Sequence, residues 1–67
     1  MIEISVNGER VSIDGPMTVE QVLESVEVPP NYLAVEVNGE VVPREDYVSH
    51  RIEAGDKIEL VTLVGGG

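Results

Sequence analysis

The chain has 67 residues and a formal net charge of −9, with no cysteine and one histidine. That charge disfavours a nucleic-acid backbone or an anionic membrane and favours a basic protein partner. Disulfides and thiolate zinc sites are excluded, one histidine gives no basis for a metal site, and no apolar run is long enough to span a bilayer.

Length suits one domain, and no leader is apparent, so the expected location is the cytoplasm. Apolar residues make up 42%, while the aromatics are Tyr32 and Tyr47. A domain of this size buries only about 60% of its unfolded surface, so its aliphatic core must be efficient.

Ile2, Ile4 and Val6 alternate with Glu3 and Ser5, and Val11 and Ile13 resume the alternation after Asn7-Gly8. This predicts a β-hairpin on a type I′ turn. Asp14-Gly15-Pro16 breaks the strand. A helix is then expected over MTVEQVLESV, with Thr18 as N-cap and Gln21 completing a capping box. Met17 and Val22 are placed to form a hydrophobic staple, and Val19, Val22, Leu23 and Val26 make one apolar stripe. Pro29-Pro30 ends the helix.

YLAVEVNGEVV predicts a second Asn-Gly hairpin, with Leu33, Val35 and Val37 on one face and Ala34 and Glu36 on the other. Pro43 can open a short helical turn, followed by an extended piece near His50 to Ile52. After the turn EAGD, KIELVTLV is the last strand. Ile58, Leu60, Thr62 and Val64 point one way; Lys57, Glu59, Val61 and Leu63 point the other.

The order ββαββ predicts an α+β domain, a β-grasp, with a mixed four- to five-stranded sheet and one main helix on one face. A right-handed crossover lets the first and last strands lie parallel at the centre. The expected domain is 1–64, with 65–67 as a flexible Gly-Gly-Gly tail. The expected core is Ile4, Val6, Val11, Ile13, Val22, Leu23, Val26, Leu33, Val35, Ile58 and Leu60.

Chemistry of its own is not evident. Ser49 and His50 are adjacent, so their side chains point apart, and they read as exposed polar residues. The carboxylates follow no calcium-loop pattern, and no Gly-rich loop leads into a helix to cradle a phosphate. No catalytic residue and no permanently bound cofactor is expected.

VGGG remains. One reading is a frayed end. The other follows from a regular last strand running straight into Gly65, Gly66 and Gly67. Three extended residues reach roughly 10 Å. Lacking Cβ atoms, they can enter a channel too narrow for other residues and present a carboxylate to a partner's active site. Beside the tail, Val61 and Leu63 are apolar where a polar face is normal. With Ser5, Ala34 and Tyr32, and a rim of Glu3, Glu36 and Glu59, they read as a partner-docking patch. The alternative is burial of Val61 and Leu63 under the segment around Tyr47.

VNGEVVPREDY and GDKIELVTLVGGG carry a resemblance that covers essentially the whole chain. It resembles the ThiS-type sulfur carriers of the ThiS/MoaD family of ubiquitin-like proteins. The resemblance implies that a ThiF-like adenylyltransferase uses ATP to adenylate the C-terminal glycine carboxylate. Sulfur drawn from cysteine by a desulfurase then converts it to a thiocarboxylate. A ThiG-like thiazole synthase receives that sulfur for the thiazole of thiamine. Carried over, Gly67 is the sulfur attachment point, and Gly65 and Gly66 are read by the activating enzyme. The protein is then a co-substrate, not an enzyme. MoaD-like carriers for molybdopterin synthesis are longer and have a proline-containing ending, whereas VGGG fits the thiamine branch. A ubiquitin-like modifier would use the same tail, and a TGS-like binding module would not need it.

Overall fold

The computed structural model describes residues 1–28 and 31–62. Strands β1 (Ile2–Val6) and β2 (Glu9–Ile13) form the first hairpin, and β3 (Met17–Thr18) leads into α1 (Val19–Ser25). Strands β4 (Tyr32–Val37) and β5 (Glu40–Val42) form the second hairpin. A 3-10 turn at Arg44–Asp46, β6 (Arg51–Ile52) and β7 (Lys57–Thr62) follow. The main sheet has the order β2-β1-β7-β4-β5, with β1 and β7 parallel at its centre. This is the expected mixed sheet with one helix on one face. The piece near Ile52 does not join it: β6 pairs with β3 in a separate two-stranded sheet.

Both hairpins turn as the Asn-Gly pairs require. Asn7 and Asn38 have φ of 51° and 53°, and Gly8 and Gly39 follow at 86° and 85°. The asparagines also clamp the last strand. Asn7 N–H donates to the Ile58 carbonyl (2.9 Å), and its Oδ1 accepts from Leu60 N–H (2.7 Å). Asn38 N–H donates to the Lys57 carbonyl (2.7 Å), and its Oδ1 accepts from Lys57 N–H (3.0 Å). Each turn thereby extends its strand's ladder along β7, which holds that strand from both sides.

The helix begins as expected. Thr18 Oγ1 accepts from Gln21 N–H (3.2 Å), and Gln21 Oε1 accepts from Thr18 N–H (3.0 Å). Two further N–H groups of the first turn reach outside the helix, Val19 to the His50 carbonyl (2.8 Å) and Glu20 to the Tyr47 carbonyl (2.9 Å). The 43–50 segment therefore closes over the start of the helix. Ser49 and His50 belong to that closure, since both backbone N–H groups donate to the Asp46 carbonyl.

The core joins Ile4, Val6, Ile13, Val19, Val22, Val35, Val37, Val42, Tyr47, Ile52, Ile58 and Leu60. Val11, Leu23 and Val26 pack against it only half-buried. Leu33 is a correction: it is 59% exposed. The register runs Tyr32 opposite Thr62, then Ala34 opposite Val61, with Leu33 as an extra residue between them. This bulge absorbs one step of the pleat. Leu33 stays out, and Tyr32, expected on the docking face, packs against the core instead.

Burial pushes the Tyr47 phenol above its ordinary value of 10.0, with the neighbouring Tyr32 adding to the effect and Arg44 opposing it. The raised folded value means that the stabilising contribution is complete below about pH 10. It is lost as pH rises through the folded value, because the unfolded chain ionises first. Urea denaturation between about pH 9 and pH 11 should show stability falling, with a shallower fall in Tyr47→Phe.

Candidate partner-docking site

Strand β7 alternates buried Ile58 and Leu60 with outward Lys57, Glu59 and Val61. Val61 is 38% exposed and Glu59 is exposed. Burial of Val61 under the segment around Tyr47 is ruled out, because Tyr47 is itself in the core, on the helix side of the sheet. Leu63 and the tail residues Gly65, Gly66 and Gly67 lie outside the described residues.

The strands beside Val61 supply more apolar surface. Ala34 faces it across β4, and Leu33 projects from the bulge next to Ala34. On β5, Val41 is opposite Glu36 and 62% exposed. Leu33, Ala34 and Val61 thus share the outer face of the sheet at the end where β7 reaches Thr62, and Val41 lies on the same face one row back, level with Glu36 and Glu59. Exposed large apolar residues gathered on one face mark an interaction surface more than isolated ones do. Sequence reasoning missed Leu33 and Val41. The alternation of β5, with buried Val42 following Val41, offered a signal for the second; for Leu33 none is visible without the register of β7.

The rim is smaller than expected. Glu36 and Glu59 are directly opposite one another beside the patch. Like charges so paired are destabilising, which an approaching cation would relieve. Glu3 and Ser5 are not on this rim. Strand β1 runs parallel to β7, placing Ser5 beside Lys57, and Gly55 N–H donates to the Glu3 carbonyl at 2.8 Å. Both residues sit toward the far end of the sheet, Ser5 about 13 Å and Glu3 about 20 Å along the strand direction from Val61.

Among the described residues no group of three or more His, Cys, Asp and Glu is placed to share a metal ion. A hollow of about 500 Å³ beside α1 is lined by Asp14, Gly15, Pro16, Met17, Gln21, Glu24 and Ser25, away from the docking face. Among the described residues this face combines exposed apolar side chains with a directly opposed pair of glutamates near the end of β7.

The ThiS family model matches residues 4–67. The chain belongs to the ThiS family. This ThiS-family chain is 29% identical to the sulfur carrier protein ThiS of Escherichia coli, covering 98% of this chain and 100% of that one. It is 38% identical over 66 residues to a thiazole synthase of Paramagnetospirillum magneticum. There the match covers 98% of this chain but spans only 20% of the synthase's length. The crystal structure of a thiamine biosynthesis protein, ThiS, from Geobacter metallireducens superposes with a TM-score of 0.82. It is 33% identical, with 98% of this chain and 100% of that one covered. Among the described residues no helix is long and apolar enough to cross a membrane.

Proposed function

We propose that this ThiS-family chain is a sulfur carrier of thiamine biosynthesis, acting in the cytoplasm, and that Gly67 is its attachment point. A ThiF-like adenylyltransferase binds the tail, and the Gly67 carboxylate oxygen attacks the α-phosphorus of ATP, expelling pyrophosphate. The acyl adenylate is an electrophile that the carboxylate is not. A persulfide drawn from cysteine by a desulfurase then attacks the acyl carbon and AMP leaves, and a thiol reduces the acyl disulfide so formed to the thiocarboxylate, itself ending in a disulfide. The resulting thiocarboxylate is delivered to thiazole synthase. ATP is the adenylating enzyme's substrate; the carrier itself contributes the carboxylate and the surface that positions it. Residues 1–64 form the handle, and Gly65 and Gly66 pass through the partner's channel.

The observation that carries this reading is the placement of β7. It is central, paired on both sides and clamped by Asn7 and Asn38. It ends, at Thr62, at the edge of an exposed apolar patch. In this reading a firmly held strand is the base from which the partner orders the residues that follow it, at about 1–2 kcal/mol for each residue. Family membership over residues 4–67 supports the same reading, as does the match of nearly all of this chain to part of a thiazole synthase. A carrier segment within a synthase polypeptide would hold the two at high effective concentration.

The patch supplies the test. Leu33→Asp, Val61→Asp and Leu63→Asp should each weaken binding to the adenylating enzyme and to thiazole synthase by roughly 10-fold or more, since each places a charge in an apolar contact. Circular dichroism should show Leu33→Asp and Val61→Asp still folded, both side chains being exposed. Glu59→Lys should mainly slow association. Unchanged affinity for both partners in all three aspartate variants would remove this face from the mechanism.

A further inference from the structure

The outer face of the sheet carries a second feature, at the end away from the apolar patch. Register places Arg10 of β2 and Lys57 of β7 opposite the same residue, Ser5 of β1, one from each side. Ser5 lies between buried Ile4 and Val6, so the row faces outward. Neighbouring strands are about 4.8 Å apart, which sets the Arg10 and Lys57 Cα atoms about 10 Å apart across the serine. Both cations line a cavity of about 180 Å³ together with Ser5, Glu3 and Gly55.

The chain has four Lys and Arg against thirteen Asp and Glu, and two of those four cations stand on this row. Among the described residues the ion pair is Arg51–Glu53 (3.8 Å), and neither Arg10 nor Lys57 takes a carboxylate partner. Asp56, next to Lys57, is engaged elsewhere. Its Oδ1 accepts from Asn38 Nδ2 (3.1 Å) and its Oδ2 from Glu53 N–H (2.9 Å). Glu3 lines the same cavity and Glu59 is the next outward residue on β7, yet neither pairs with the two cations.

We propose that the Arg10–Ser5–Lys57 row receives a carboxylate side chain of the protein docked on the apolar patch. The inference rests on the docking reading above and adds the orientation of the partner to it. Apolar contact alone is non-directional and leaves a partner free to rotate over the patch. A charged contact about 13 Å away along β7 removes that freedom. The face then reads apolar, acidic (Glu36 and Glu59), basic (Arg10 and Lys57), and a complementary partner reads apolar, basic, acidic. A protein carboxylate fits better than a free phosphate, because the row is open and continuous with the docking face.

The test compares Arg10→Glu/Lys57→Glu with wild type and Val61→Asp for binding to the cognate adenylating enzyme and thiazole synthase, at low and high salt. The double reversal should raise Kd for at least one partner by roughly 10-fold at low salt, through opposite charges turned to like ones. The gap should close near 1 M salt, where screening acts within about 3 Å. Arg10→Gln and Lys57→Gln, each expected to raise Kd roughly 2- to 3-fold, give the same reading if the double variant does not fold. Unchanged low-salt affinity for both partners, with Val61→Asp still impaired, would overturn this inference alone. Wild-type protein that binds neither partner would overturn the docking reading beneath it.

Discussion

Deleting Gly67, or replacing Gly66 with valine, should abolish adenylation and leave the melting temperature unchanged. Gly67 lies five residues beyond Thr62, a reach of up to about 17 Å when extended. A channel that admits backbone without Cβ atoms excludes the two methyls of valine, and deletion moves the carboxylate one residue short of the α-phosphorus. Effective alignment of reacting atoms is worth about 7–11 kcal/mol of barrier, so a displacement of one residue removes most of the rate. The core among the described residues closes without the glycines, from Ile4 to Leu60, which is why the fold should not respond. Pyrophosphate release with the cognate adenylating enzyme measures the first effect, and thermal denaturation the second. Activation of either variant at the wild-type rate would contradict the assignment of Gly66 and Gly67.

Ile52→Ala should cost about 2–5 kcal/mol, a large share of the stability of so small a domain. Ile52 is fully buried, although β6 is only two residues long. It pairs with Met17 just before the helix, so its side chain ties the 43–52 segment to the start of α1. Truncation leaves a void that neighbours held by short strands fill poorly. Leu23→Ala should cost about half as much, because Leu23 is half-buried at the edge of the core. Urea denaturation of the two variants checks the order. A larger loss in Leu23→Ala would mean that the helix, rather than the β3–β6 junction, dominates the packing.

The features legible in the sequence were those set by near neighbours. Asn7-Gly8 and Asn38-Gly39 need positive φ whatever surrounds them, and the Thr18–Gln21 box closes within three residues. The alternation in β7 was readable because both faces are regular through Thr62. What could not be read depends on pairing between distant segments. The bulge that turns Leu33 outward and Tyr32 inward exists only in register with Val61 and Thr62. Burial of Ile52 and Tyr47 follows from the closure of the 43–52 segment over the helix start. For the docking face, Val61 was visible as an apolar residue on the outward side of β7, following the charged Lys57 and Glu59. The same patch acquires Leu33 and Val41, and loses Ser5 and Glu3, only once the parallel register of β1 and β7 is known.

The most direct measurement is the intact mass of the chain after incubation with ATP, a cysteine-derived sulfur source and the cognate adenylating enzyme, with and without a thiol-selective alkylating reagent. The chain has no cysteine, so a thiocarboxylate is its one thiol-like group and the label reports it without ambiguity. The predicted result is a mass gain equal to the replacement of one oxygen by sulfur, dependent on ATP, alkylated once, and mapped by fragmentation to Gly67. An unchanged mass with fully active partners, or appearance of the chain in isopeptide linkage to lysines of other proteins with no labelled species, would contradict the sulfur-carrier function.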